Sequence, residues 1–318
     1  MKHSDHANPW TPQGFDAWAE HYPATRWAAV APEQDRTGAF IELWQSAGQE
    51  QAGSIRTVAI TPGLFAEFLP RCFAPARNAL QAAGYRVIRT RARSRHGVRA
   101  QAEHLEQELG HALAPGERFI WCAHSKGALD ALYTLEQSPA LRAGCAAAVV
   151  VQPAVGISRV VDRWQHAPAG LRERFGRGLI ANAYVRDGVR EISRERDPII
   201  GDWLAQFAPV VPTLCVATWS IRPTSWVDSY HRTLNELAPG HAHDGQFLLE
   251  DQRLPGADLI GLPEIDHAQP VLHGDNLDAG RFWHTLVTLA ADQTRQDSNP
   301  GHKSSFASGT TSEASGIQ

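Results

Sequence analysis

The sequence is short of several things, and each shortage excludes something. No apolar run approaches the ~18 residues that a membrane span requires, so stable membrane insertion is not expected. The opening residues, MKHSDHANPWTPQG, hold no apolar stretch of the kind a secretory signal needs. Cysteine is scarce: Cys72, Cys122, Cys145 and Cys215 form no C-x-x-C pair. The last three fall in or beside apolar, strand-like runs, and they read as buried reduced thiols of a cytoplasmic protein. A basic excess is also missing. Lys and Arg number 30 against 34 Asp and Glu, a net charge of −4, which argues against a nucleic-acid partner. No internal repeat is visible, and no metal site is read from the spacing of potential ligands.

What is present is ordinary for a chain that buries a core: 318 residues, 43% hydrophobic and 20% charged. The first 25 or so residues show no clear period and are expected to drape over the surface. FIELWQSA, from Phe40, alternates apolar and polar residues as a half-buried strand does. TVAITPG, YRVIRTRA, RFIWCAH, CAAAVVVQPA, TLCVATWS and ADLIGLPE read as further strands. Between them, AEFLPRCFAPARNALQAAG, VRAQAEHLEQELGHAL, the run from Lys126 and AGRFWHTLVTLAADQ read as helices. Strands alternating with helices predict crossover units and a mainly parallel sheet, and strands apolar on both faces predict helices on both sides of it. Residues 157–212 are helical in pattern and rich in Arg, and an all-helical insert between two strands predicts a cap. The expected organisation is therefore a single domain over 1–292, a cap insert at about 157–212, and a polar, Ser- and Gly-rich disordered tail over 293–318.

The chemistry centres on RFIWCAHSKGALDAL. An apolar strand ends on Ser125 and turns at once into a helix, with the small residues Ala123 and Gly127 on either side. That is the pattern of a nucleophile elbow, which exposes a serine above the sheet edge and aims helix N-terminal amides at an oxyanion. The plain alternative is a Ser N-cap on an ordinary helix. A serine hydroxyl needs a base. His267 is the best placed, in the loop between the last strand and the last helix, with His273 as a fallback. The base needs an acid to orient it. Asp244 is preferred because Asp-Gly puts a carboxylate at a tight turn, and Asp228 is the alternative acid. Asp266 reads as a turn residue. A second oxyanion donor is expected in the loop after TVAIT, where Gly63 allows close approach, so the backbone amides of Leu64 and Lys126 are the candidate oxyanion hole. An ordinary Pro-Gly turn is the competing reading. The Lys126 side chain is expected near solvent.

In order along residues 40–291, PGLF, AHSKG, HDG and DHAQPV resemble the α/β-hydrolase superfamily, and the HDG…DHAQPV half looks like bacterial serine esterases and lipases. The resemblance implies an α/β-hydrolase fold, with a mainly parallel central sheet, flanking helices and a helical cap. It also implies a Ser-His-Asp catalytic triad and no cofactor. The sequence departs from the usual pattern twice: Ala123 replaces a glycine, and the oxyanion loop is TPGL.

The expected substrate is a small-molecule acyl ester or thioester. Trp164, Phe175, Tyr184, Trp203 and Phe207 in the insert would suit an acyl chain, or would simply pack the cap onto the body. Arg89, Arg91, Arg93 and Arg95 would share one face of an extended segment. That face could bind a carboxylate or phosphate, or lie solvated. Three functions compete: a carboxylic ester hydrolase with an acyl-enzyme on Ser125, a thioesterase or acyltransferase using CoA- or carrier-bound acyl groups, and a non-catalytic binder of the same fold. Oligomeric state leaves no trace in the sequence.

Overall fold

The computed structural model describes residues 10–25, 31–46, 54–166, 183–224, 227–272 and 277–297. Six strands, β1 Thr57–Thr61, β2 Arg86–Arg89, β3 Phe119–His124, β4 Cys145–Val151, β5 Thr213–Trp219 and β6 Asp258–Pro263, form one wholly parallel sheet in the order β2-β1-β3-β4-β5-β6. The described helices are α1 Pro12–His21, α2 Thr37–Gln45, α3 Ala74–Ala82, α4 Val98–Ala112, α5 Lys126–Gln137, α6 Pro139–Gly144, α7 Arg159–Gln165, α8 Arg186–Arg190, α9 Pro198–Ala205, α10 Asp228–Leu237 and α11 Ala279–Asp297.

Alternation along each strand decides which layer a residue joins. Val58, Ile60, Ile120, Cys122, Val149 and Val216 face one way and meet Phe40 of α2, Leu80 of α3 and Phe282, Trp283 and Leu286 of α11. Ala59, Phe119, Trp121, Val150 and Cys215 face the other way and meet α4 and α5 through Leu105, Leu109, Ala128 and Leu132. Each fully buried large apolar side chain contributes roughly 1.5–3 kcal/mol, so continuous apolar runs such as FIWCA and CAAAVVV are stable only between two helical layers. All four cysteines are buried and free. No described helix is long and apolar enough to cross a membrane.

The structure differs from the sequence reading at both ends of the chain. FIELWQSA is not a strand: it lies in α2. Apolar positions 40, 41, 43 and 44 include the i, i+3, i+4 spacing of a helical face, and the tertiary partners decide. Phe40 packs on Phe282 (5.8 Å between ring centres) and on Trp44 one turn along (6.1 Å). The start of the chain is more than drapery. Trp10 is buried against Phe40 and Trp44, and its indole N–H donates to Pro263 O at 3.0 Å. At the other end α11 runs to Asp297, past the expected boundary at 293, because Gln293 Nε2 reaches Asp258 Oδ2 and Thr294 is buried. The remaining tail lies outside the described residues.

The strand order reverses direction between β1 and β3, and a parallel sheet opens a crevice at the carboxyl ends of strands on either side of such a point. The register pairs Thr61 with Ala123, so the chains leaving β1 and β3 begin side by side. Helices α7 and α8, in the segment between β4 and β5, lie over that crevice. Val161 of α7, Val189 of α8 and Ile192, just after α8, line it.

Candidate active site

Ser125 sits at the corner between β3 and α5 with φ 57° and ψ −131°, a backbone conformation that side chains other than glycine rarely adopt. Its neighbours explain how the corner closes. A Cβ at Gly127 would run into the backbone carbonyl of Pro62. A Cβ at Gly63 would lie 2.9 Å from Ser125 Cβ and 3.1 Å from His124 O. Both glycines are therefore required for the loop after β1 to lie against the start of α5. Ala123 is fully buried within the sheet, where its methyl packs in the core.

His267 Nε2 lies 3.0 Å from Ser125 Oγ, and His267 Nδ1 lies 2.7 Å from Asp244 Oδ2. A carboxylate only accepts, so Nδ1 carries the ring proton and Nε2 presents a lone pair to the hydroxyl. Asp244 is wholly buried. Its Oδ1 accepts from the amides of Gln246 (2.7 Å) and Phe247 (2.8 Å), and the His267 amide donates to Asp244 O at 2.8 Å. The tight Asp-Gly turn has Gly245 at φ 96°, which a glycine takes without strain. Three residues separated by 119 and then 23 positions in the chain thus meet at the carboxyl edge of the sheet.

Asp228 does not join them. It opens α10 at the surface and pairs with Arg232 at 2.9 Å. Asp266 is a turn residue, as its position suggests: its carboxylate accepts from the amides of Ala268, Gln269 and Thr224. His273 lies outside the described residues.

Facing Ser125, the loop after β1 is held from outside. Phe65, at φ 67°, donates its amide to Ser94 Oγ at 2.6 Å, and Glu67 accepts from both the amide and the hydroxyl of Ser94. Among the described residues no acceptor takes the amide of Leu64 or that of Lys126 at the head of α5. These two amides are the ones the sequence nominates.

The Lys126 side chain contradicts the expectation that it faces solvent. It is buried, and Nζ lies 2.6 Å from Asp130 Oδ1, one turn along α5. Burial pushes the Asp130 carboxyl up to about 6 in spite of Lys126, and it also raises Glu191, which follows α8. Glu191 Oε1 accepts from the Val98 amide at 3.1 Å, while its buried Oε2 has no partner among the described residues. The i, i+4 spacing of Lys126 and Asp130 was the signal that could have revealed the pair.

Two more residues went unnoticed in the sequence: His124 and Gln152, both buried beside His267. His124 is held well below its ordinary pKa, first by burial and then by the nearby His267, so it stays neutral. A polar residue ending the otherwise apolar run CAAAVVVQ was the available signal for Gln152.

A cavity of about 180 Å³ opens on Ser125. Leu64, Phe65, Val161, Val189, Ile192 and Val271 make its walls mostly apolar, and His124, His267 and Gln246 add polar atoms. The described cap aromatics pack instead of lining it: Trp164 on Tyr230, Trp203 on Tyr133 and Phe207, and Tyr184 on Phe68. Phe175 lies outside the described residues. None of Arg89, Arg91, Arg93 and Arg95 lines the cavity. Arg89 turns inward beside Cys72, whose thiol burial pushes up to about 11. Among the described residues no cluster of His, Cys, Asp and Glu is arranged to hold a metal ion.

No protein-family model and no curated protein sequence matches the chain. Solved structures do. A metagenomic carboxyl esterase superposes with a TM-score of 0.64 at 19% identity, over 89% of this chain and 99% of its own. The mature form of a lipase from Bacillus licheniformis gives 0.54 at 14% identity, over 76% of this chain and 94% of its own. With the wholly parallel sheet, the reversal between β1 and β3 and these superpositions, the chain has the α/β-hydrolase fold.

Proposed function

We propose that the protein is a serine hydrolase that cleaves carboxylic esters through an acyl-enzyme on Ser125. The observation that carries this reading is the hydrogen-bonded chain from Ser125 Oγ through His267 to Asp244, at 3.0 and 2.7 Å. In this reading Ser125 is the nucleophile at the elbow. Its Oγ attacks the ester carbonyl carbon while its proton passes to His267 Nε2. The carbonyl oxygen becomes an oxyanion between the amides of Leu64 and Lys126. When the tetrahedral carbon collapses, its bond to the alcohol oxygen breaks and that oxygen takes the proton from His267. Water then repeats the cycle in reverse roles and frees the acid. Asp244 stabilises the imidazolium and keeps Nε2 pointed at Ser125. His124, neutral and in ring contact with His267 at 4.7 Å, adds no opposing positive charge.

The cavity supports a short acyl group. At about 180 Å³ it is close to the ~150 Å³ apolar cavity that accepts benzene and below the roughly 300–1,000 Å³ of pockets for drug-sized ligands. Hydrolysis of a p-nitrophenyl butyrate is expected to exceed that of the palmitate. The four buried, free cysteines fit a reducing, cytoplasmic setting.

Replacing Ser125 tests the reading directly. Ser125→Ala is expected to lower kcat for a short-chain ester by on the order of 10⁴-fold or more, and to abolish labelling by a fluorophosphonate probe. Activity within about threefold of the parent would end the proposal. Failure of the parent itself to label would favour a non-catalytic binder.

A further inference from the structure

Three consecutive carbonyls of the loop that carries His267 are each held by a side chain from a different strand end. Thr218 Oγ1, on β5, donates to Ile265 O at 2.9 Å. Gln152 Nε2, just past β4, donates to Asp266 O at 2.9 Å. His124 Nε2, the last residue of β3, donates to His267 O at 3.1 Å. The three holders are also joined to one another: His124 Nε2 donates to Gln152 Oε1 at 2.9 Å, and Gln152 Nε2 donates to Thr218 Oγ1 at 2.6 Å. All three side chains are buried.

The hydrogens account for themselves. A glutamine amide has two N–H groups, and these go to Thr218 and Asp266. The single hydroxyl proton of Thr218 goes to Ile265. The one N–H of a neutral imidazole is shared between Gln152 and His267. No donor faces a donor, so each group has one orientation, and a fully satisfied buried network is rigid. Thr218 is itself fixed at its backbone, where N donates to Gln252 Oε1 and O accepts from Gln252 Nε2.

The backbone of Gln152 supplies a second observation. Its φ is 50°, in the left-handed region, and its amide donates to Val216 O at 2.7 Å. Such strain persists where the surroundings over-determine it and gathers at functional sites.

We propose that Gln152 is a positioning residue for His267: with His124 and Thr218 it holds the carbonyls of residues 265–267 and so sets the approach of His267 Nε2 to Ser125 Oγ. It does not line the cavity and acts only through the loop. The inference rests on the Ser125–His267 reading above.

Two substitutions test it. Gln152→Leu removes both donors. It is expected to lower kcat for a short-chain ester by about 10²-fold, the penalty of a misplacement near 1 Å, with KM within about threefold. Gln152→Glu keeps the shape. In its acid form it still donates to Asp266 O; in its carboxylate form it repels that carbonyl. The titratable groups around it are His124, His267 and Asp266, whose carboxylate is already held by three amides. Burial raises such a glutamate, so the variant's pH profile should gain a falling limb toward alkaline pH that the parent's lacks. A general loss of stability would not create that limb, and this variant decides the matter if Gln152→Leu fails to fold. Ser125-dependent hydrolysis that Gln152→Leu leaves within about threefold in kcat, or a Gln152→Glu profile of parental shape, overturns the inference alone. Hydrolysis that survives Ser125→Ala overturns the underlying reading and this inference with it.

Discussion

One residue before Ser125 the chain buries a neutral imidazole; one residue after it, a charged amine. The two sides are built on opposite principles. On the His124 side, neutral donors meet neutral acceptors from β3, β4, β5 and the His267 loop. Burying such groups costs little once every hydrogen is used, and the reward is geometry. On the Lys126 side, a cation and two carboxylates are packed between α5, the start of α4 and the segment after α8. There burial outweighs attraction: Asp130 is raised to about 6 although Lys126 touches it, and one oxygen of Glu191 finds no partner among the described residues. The chain's lysines are Lys2, Lys126 and Lys303, so the described body has placed its one lysine here and used arginine for its other strong cations. Arg196 shows what arginine does nearby, donating to the carbonyls of Glu191, Ala154, Val155 and Gly156. A forked guanidinium satisfies several carbonyls; a compact ammonium fits one carboxylate inside a helix turn. The backbone of the His267 loop is thus held by neutral side chains, and the lysine with its carboxylates is kept on the other side of Ser125.

The largest effect is expected at Asp244, the carboxylate hydrogen-bonded to the His267 ring. Asp244→Asn keeps an oxygen for the amides of Gln246 and Phe247, so the turn should survive. Its amide, however, would present N–H to Nδ1, drive the ring proton to Nε2, and leave no lone pair for Ser125. A fall in kcat on the order of 10⁴-fold is expected, with melting temperature nearly unchanged. Steady-state kinetics beside a thermal melt checks it, and a loss of less than about tenfold would mean that Asp244 does not orient His267.

The charged side should break in stability. Lys126→Met leaves Asp130 and Glu191 buried with no lysine between them. Removing one partner of a buried pair costs about 3–5 kcal/mol. The sign of the pH dependence follows from the raised carboxyls. Without Lys126, which lowers both, they rise further. A group raised on folding contributes stability that is complete below its unfolded pKa and is lost as pH climbs through its folded one. The variant should therefore lie nearest the parent at about pH 5 and fall furthest behind at about pH 8. Urea denaturation at the two values measures this, and an equal deficit at both would show that charge is not the cause.

How much of this contrast could be read beforehand depends on the range over which each signal acts. The strands TVAIT, FIWCAH and CAAAVVV announce themselves because burial on two faces removes every charge from the run. Ser125, Asp244 and His267 are visible because each sits in a locally unusual setting: a serine among small residues, an Asp-Gly turn, a loop histidine after the last strand. The choice of Asp244 over Asp228 rests on turn chemistry, and the fold brings Asp244 to the imidazole while Asp228 opens a surface helix and pairs with Arg232. Gln152 left no comparable mark. Its partners lie 28, 66 and 114 residues away, and no period or spacing connects them. Lys126 misled because a charged side chain after a buried strand ordinarily reaches water, and the segment after β4 that covers it is distant in the chain. The strand expected at FIELWQSA failed for want of length, since eight residues with large apolar side chains at 40, 41, 43 and 44 hardly separate a period of 2 from one of 3.6.

The finest test asks whether the charged cluster is needed at all. Continuum reasoning and experience with buried ion pairs agree that replacing both partners by apolar groups of similar total volume is close to neutral or stabilising. Lys126→Met with Asp130→Val comes close to that replacement, because methionine nearly matches lysine in size and valine is only slightly larger than aspartate. The double variant should regain most of what Lys126→Met alone loses and come within about 1 kcal/mol of the parent at pH 5. What deficit reappears toward pH 8 belongs to Glu191, the carboxylate still buried there, and adding Glu191→Gln should flatten it. If instead the double variant is as unstable as the single one at both pH values, then Lys126 stabilises the fold through the packing of its methylene stem. The two sides of Ser125 would then differ in shape and not in charge.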